Sequence, residues 1–347
     1  AHWIEKMKTM LYFVTRSQNT MENNTLADIW NSLEDSQSVL IPLHLNPDPD
    51  SIGSAMASAL ILSSMGKSVT ITSADEWTNF PLLCSLYKIQ HQDPAKIDLS
   101  HFDVFLAQDI SSIARYSRDD AFGIPSDMLV INIDHHKTNT YFGTLNFVDF
   151  EASSTAEVLY DLFTSNNIKL TKEMAIALYF GLMSDTGWFA YAPAPKAYAM
   201  AKHLVELGVN AREVSVALQE TTLSEVNLTG RVYSRVTIDE QCNFAYSYIT
   251  QQDLAELGLI DKSYYAGVHM LKFLPTILFG AVITEESPNQ FKVSLRSREA
   301  TTYDVSEIAI KVNGPENGGG HQMAAGFKME AASIEAVVEA IRKAIQN

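Results

Sequence analysis

Apolar and polar positions fall into two regimes along the 347 residues. Leu26, Ile29, Trp30 and Leu33 recur at helical spacing, with Asp28 and Glu34 on the opposite side. Short aliphatic runs follow at 38–44, 68–72, 104–107 and 128–133. Between the first two lies 51–65, an Ala-, Ser-, Leu- and Met-rich stretch that reads as a helix stopped by Gly66. Nearly continuous β-branched and aliphatic strands alternating with helices predict a parallel sheet covered on both faces. Helical patterns then dominate at 153–162, 173–183 and 196–208, the first capped from Ser153, Ser154 and Thr155.

The alternation is lost over 210–229, where a linker is expected. Beyond it, 231–239 and 244–250 alternate like a hairpin, and strands at 277–284 and 290–297 flank a polar turn. Helices are expected at about 264–274 and 334–345. The chain therefore divides into an N-terminal extension (1–24), an α/β parallel-sheet domain (25–209), the linker, and a smaller α+β domain (230–347).

Potential metal ligands gather where the strands of the first domain end. His44, Asp48 and Asp50 follow the first strand, Asp109 the third, and Asp134-His135-His136 the fourth, while Asp185 ends a helix. In open parallel sheets, ligands bind beyond the carboxyl ends of the strands. Asp and His supply oxygen and imidazole nitrogen, a mixture suited to a pair of divalent cations. Pro47 and Pro49 stiffen the loop that carries three of these side chains. Each cluster alone has an ordinary reading: turn-forming Asp and Pro at 47–50, a helix N-cap at Asp109, a polar helix end at Asp185. Taken together in this order they point to a dinuclear phosphoesterase. Adjacent His135 and His136 must point in different directions, so one can ligate while the other meets substrate. His2, His91, His101, His203 and His269 stand alone and read as surface or satisfied core residues.

Charge narrows the substrate. A net charge of −16 argues against coating long nucleic acid, which needs a basic surface to release counterions. A small phosphorylated ligand remains compatible, since metals and a few cationic side chains can meet its charge. Cys84 and Cys242 are far apart and read as reduced thiols of a cytoplasmic protein. No run is long enough to span a membrane, and 1–24 lacks a signal-peptide pattern.

These clusters resemble motifs I to IV of the DHH phosphoesterase superfamily, and Gly318-Gly319-Gly320-His321-Gln322-Met323-Ala324-Ala325-Gly326 resembles the signature of the DHH-associated C-terminal domain. Within the superfamily the chain is most similar to the two-domain nano-RNase group, which degrades short oligoribonucleotides and often dephosphorylates 3′-phosphoadenosine 5′-phosphate (pAp). The resemblance implies one metal on His44, Asp48 and Asp109, and a second on Asp50, Asp109, His135 and Asp185, with Mn²⁺ expected. It implies that water activated between the ions attacks phosphorus in line. His136 would then contact the phosphoryl group or protonate the leaving oxygen, and Asp134 would orient a histidine. Arg296, Ser297, Gly319, Gly320 and His321 would hold the nucleotide phosphate, although strand alternation places Ser297 opposite Arg296. A Gly-rich binding loop is expected at 318–320. Two departures bear on substrate: Trp188-Phe189-Ala190 lacks the basic residue common after Thr-Gly in the fourth motif, and Pro49 replaces a frequent glycine. Alternatives are a hydrolase of linear pApA, an exopolyphosphatase or pyrophosphatase, and a silent nucleotide sensor. The oligomeric state is left open, a homodimer included.

Overall fold

The computed structural model describes residues 22–75, 80–191, 194–259, 267–298 and 303–346, apart from the side chains of Pro81, Pro315 and His321. Nearly all of the N-terminal extension, 1–21, lies outside them, as does the start of the helix expected at 264–274. The chain forms two compact units, 1–220 and 221–347.

In the first unit, helix α1 (Leu26–Asp35) starts at a Thr25–Asp28 capping box and buries Ile29, Trp30 and Leu33. The elements that follow are β1 (Ser38–Pro42), α2 (Pro49–Ser64), β2 (Ser68–Ser73), the short α3 (Pro81–Cys84), β3 (Ile89–His91), β4 (Val104–Gln108), β5 (Leu129–Asp134) and β6 (Leu145–Val148). Helices α4 (Thr155–Ser165), α5 (Lys172–Asp185), α6 (Pro195–Glu206) and α7 (Ala211–Gln219) complete the unit. All strand pairs are parallel, in the order β3-β2-β1-β4-β5-β6. Every residue of β4 is buried, as an aliphatic run covered on both faces requires. The order reverses direction between β1 and β4, creating the crevice where doubly wound sheets bind ligands. Short β3 and β6 form the edges, and neither was expected, because three or four residues carry little periodicity.

The second unit contains α8 (Leu223–Ser234), β7 (Thr237–Asp239), β8 (Phe244–Ile249), α9 (Gln251–Leu257), α10 (Val268–Leu271), β9 (Phe279–Ser287), β10 (Gln290–Ser297), α11 (Val305–Asn317, kinked at Asn313 and Gly314), β11 (Gly318–His321), β12 (Ala324–Glu330) and α12 (Ile334–Gln346). Its sheet order is β11-β12-β10-β9-β8-β7, antiparallel except for the β8–β9 pair. Three expectations need correction here. Residues 231–234 end a helix rather than begin a hairpin, and only 237–239 pair with β8. The expected linker is built into α7 and α8, with the division after Glu220. Gly318–His321 is an edge strand paired with β12, not an open loop. Gly318 belongs there because a Cβ would lie 2.3 Å from Ala309 O. No helix among the described residues is long and apolar enough to cross a membrane. Cys84 is half-buried and Cys242 buried, and neither is in a disulfide.

Candidate metal centre

Residues delivered by three of the strands and two of the helices meet at the carboxyl rim of the first sheet. Past β1 the chain turns at Asn46 (φ 55°), whose N–H donates to Asp75 Oδ2 at 2.7 Å. Arg118 holds Asp75 in turn with two bonds of 2.6 and 3.1 Å, so the loop carrying His44 and Asp48 is braced from outside. His44 is almost fully buried, with Nδ1 2.8 Å from Leu45 O. A carbonyl only accepts, so Nδ1 donates and Nε2 is the nitrogen that faces Asp48 Oδ2 and Asp109 Oδ2, each 3.7 Å away. Asp48 caps α2 through Ser51 N, and Pro49 takes the first helical position, where no N–H is needed.

Asp50 then points inward from the first turn of α2, with no exposed surface. Two backbone N–H groups at the start of α4, Thr155 (2.7 Å) and Ala156 (3.0 Å), donate to its carboxylate. The N-terminal end of α4 thereby stabilises a buried negative charge. Gly181 of α5 makes room for it: a Cβ there would lie 2.2 Å from Asp50 Oδ1.

Asp109 is the first residue beyond β4, 1% exposed and left-handed at φ 56°. It caps no helix, since Ser112 precedes the nearby 3₁₀ turn. Its Oδ2 faces His44, while Oδ1 lies 3.7 Å from His135 Nε2, 3.6 Å from His136 Nδ1 and 3.1 Å from Thr155 Oγ1. His135 Nε2 is also 3.2 Å from Asp185 Oδ2, at the end of α5. The His136 ring meets its neighbour edge-on, with centroids 4.6 Å apart and planes inclined at 66°, and its Nδ1 sits 2.7 Å from Asp134 Oδ1. Asp134 is fully buried and also accepts from Asn139 Nδ2 and His135 N.

Three overlapping groups result: His44, Asp48 and Asp109; Asp50, His135 and Asp185; and Asp109, His135 and His136. The potential ligand atoms of each lie within 4.8 Å of one another. Burial, together with the charges of Asp48 and Asp109, pushes the Asp185 carboxyl up to about 6 despite His135. Burial raises Asp50 as well, followed by Asp109 and Asp185. For His44, burial works toward the neutral ring, but the Asp109 and Asp48 carboxylates outweigh it and push its pKa up to about 10. Such a crowd of carboxylates with imidazoles turned toward it fits divalent cations, which relieve the repulsion that protons otherwise relieve. Sequence reading missed Thr155, Ala156 and Gly181, whose contacts with Asp50 and Asp109 span tens of residues. Only the glycine inside the helical run at 173–183 carried a local signal.

In the second unit, β10 places Arg296 half-buried on one face and Ser297 fully buried on the other, as alternation requires. Ser297 N donates to Met323 O. His269, expected to stand alone, is kept neutral by burial, then by the charges of Lys272 and Arg296; Lys272 is held down by burial and by Arg296. Lys272 and Arg296 therefore lie near enough for their charges to act on His269, a grouping that the sequence did not reveal. A Cβ at Gly319 would meet nothing within 4 Å, whereas Gly320 (φ 136°) would clash with Ala324 O at 2.6 Å. The His321 side chain lies outside the described part of the structure.

A doubly wound sheet with a buried carboxylate–imidazole cluster at its switch point has the donor set of a divalent-metal hydrolase. The DHH family N-terminal domain matches residues 38–182 and the DHHA1 domain residues 269–347, and the chain belongs to the DHH family of phosphoesterases. It is 26% identical over 291 residues to the probable bifunctional oligoribonuclease and PAP phosphatase NrnA of Streptococcus mutans, spanning 83% of this chain and 88% of that protein. To the bifunctional oligoribonuclease and PAP phosphatase NrnA of Thermus thermophilus it is 28% identical over 313 residues, 89% of each. The crystal structure of an exopolyphosphatase-related protein from Bacteroides fragilis shares the fold, with a TM-score of 0.78 at 22% identity, covering 92% of this chain and 95% of that one.

Proposed function

We propose that this protein hydrolyses short oligoribonucleotides and pAp with two divalent ions, Mn²⁺ in the first instance. His44, Asp48 and Asp109 would hold one ion, and Asp50, Asp109, His135 and Asp185 the other. The observation that carries this reading is Asp109, whose two oxygens face His44 and His135 respectively. When bound, such ions activate water as the nucleophile and neutralise the phosphoryl oxygens. The chain's own residues supply the rest. Burial favours the neutral His136 ring, but Asp134 and Asp109 outweigh it and keep the imidazole protonated above its usual range. It can therefore donate a proton to the leaving oxygen. Asp134, fixed by Asn139, holds that ring in place.

Nucleotide recognition is assigned to the second unit. The grouping of His269, Lys272 and Arg296 suits an anion, and the open space over Gly319 admits one close to the backbone. Arg296, Gly319, Gly320 and His321 are the assigned phosphate contacts. Ser297 contributes less directly, because its side chain is buried on the other face of β10. The names of the relatives in Streptococcus mutans and Thermus thermophilus support pAp and short RNA as substrates. Turnover of pAp, pApA, mixed RNA dinucleotides, longer RNA and tripolyphosphate, measured side by side with Mn²⁺, tests the assignment. Short nucleotides should lead, and preferential cleavage of tripolyphosphate would overturn it.

A further inference from the structure

The chain leaves Asp185 through a backbone that aromatic residues rarely adopt. Gly187, Trp188 and Phe189 lie in succession at φ 54°, 58° and 61°. Left-handed residues other than glycine are disfavoured, and bulky ones in sequence more so. The turn persists because it is over-determined. Trp188 N donates to Met183 O (3.0 Å), Ala190 N to Gly187 O (3.1 Å), and Tyr191 N to Thr186 O (3.1 Å). Phe189 N donates to Thr186 Oγ1 at 3.1 Å, and that buried hydroxyl donates to Leu182 O at 2.6 Å. A Cβ on Gly187 would lie 2.6 Å from the Tyr191 ring, so this ring lies directly on the glycine.

The strained turn keeps a large apolar side chain in solvent. Trp188 is 46% exposed, three residues past a carboxylate of the metal centre. Tyr191 and Tyr198 are also exposed, and Phe189 stacks on Tyr198 with centroids 5.1 Å apart at 24°. Residues 186–191 contain no lysine or arginine, so a ligand arriving here meets aromatic faces rather than charge. Strain of this kind, beside a reactive centre and held by several bonds, marks a functional display rather than a packing accident.

We infer that Trp188 is a stacking platform for the nucleobase of the substrate whose phosphate occupies the carboxylate–imidazole centre, a specificity role that rests on the reading of that centre given above. An indole face accepts any base, because every base presents a π-surface and stacking needs no matched hydrogen bonds. It would give selectivity for nucleotides over base-free phosphates without strong preference among the bases.

The test compares pAp with 1-deoxyribose 3,5-bisphosphate, which keeps both phosphates and lacks the base. In Trp188→Ala the ratio of kcat/KM for pAp to that for the base-free compound should fall about tenfold, mostly through KM, as for one lost stacking contact. Trp188→Phe should retain most of the selectivity, and thermal melting of both variants checks that they fold. Separately, in stopped flow before turnover, pAp should quench tryptophan fluorescence in the metal-loaded wild type and not in Trp188→Phe, while the base-free compound should quench neither. An unchanged ratio in Trp188→Ala, or equal quenching in wild type and Trp188→Phe, overturns the inference. Quenching confined to the wild type without turnover of pAp or RNA dinucleotides would sink the functional assignment and leave the base platform standing.

Discussion

At the scale of single residues, the proposed chemistry turns on a division of labour between His135 and His136. Their ring planes are inclined at 66° in edge contact, with His135 Nε2 beside Asp185 and His136 Nδ1 on Asp134. His135→Ala should therefore lose metal, whereas His136→Ala should keep its metal and lose kcat. Elemental analysis of both variants checks this, and equal metal loss would show that His136 is itself a ligand. Asp109→Asn should lower activity by more than the roughly 10–100-fold typical of residues that merely support ligands, because it weakens both ion sites. The raised pKa values of this centre set a sign for pH. His44 (about 10) and Asp185 (about 6) hold protons that an ion must displace, so metal affinity should rise with pH above 6. Calorimetry of Mn²⁺ binding in two buffers of different ionisation enthalpy should detect released protons. Binding without proton release would contradict that protonation state. The gathering of His44, Asp48, Asp50, Asp109, His135 and Asp185 was legible in the sequence, since each lies shortly after a strand or at a helix end. Left-handed Asn46 and Asp109 were not, because a φ above zero leaves no mark when the residue is not glycine.

Elements position these side chains through contacts that no local pattern records. The start of α4 donates two backbone N–H groups to Asp50, across intervals of 105 and 106 residues, and Gly181 of α5 gives it space. Gly→Ala inside an exposed helix normally stabilises by roughly 1 kcal/mol. Gly181→Ala should do the reverse, displacing Asp50 and costing metal content along with melting temperature; a stabilised variant with full metal would refute the packing. Strands β1, β4 and β5 were readable because burial on both faces leaves unbroken aliphatic runs. Helix α8 was misread from the alternation in 231–239, although Thr222 and Glu225 form a capping box that announces it. In the second unit, Asp253 is buried, accepts from Thr250 N and Thr250 Oγ1, and pairs with Arg231 and Arg235. Burial would raise its pKa, but those bonds hold it well below the usual carboxylate value. A depressed folded-state pKa contributes stability above about pH 4, and that contribution is lost as pH falls through the folded value. Asp253→Asn should destabilise the protein by about 3 kcal/mol at pH 7 and flatten the acid side of its stability profile. An unchanged denaturant midpoint at pH 7 would contradict this.

For the whole molecule, charge and fold together limit the substrate. A net charge of −16 repels extended polyanions, while the buried carboxylates of the centre count toward that charge only until cations bind. Short nucleotides, which need few phosphate contacts, escape most of this repulsion; long RNA should be a poor substrate at low ionic strength, a disadvantage that added salt should lessen by screening. The division into an α/β unit and a smaller α+β unit was legible from the change of periodicity near residue 210. The grouping of His269 and Lys272 with Arg296 was not, because the first two lie on and just after a separate, very short helix. Metal-assisted hydrolysis of short nucleotides is tested most directly by assaying metal-stripped protein on pAp and an RNA dinucleotide before and after Mn²⁺ is restored, with metal content measured in the same samples. Activity should vanish on stripping and return with about two ions per chain. Full turnover of either substrate by protein shown to contain no metal would contradict it.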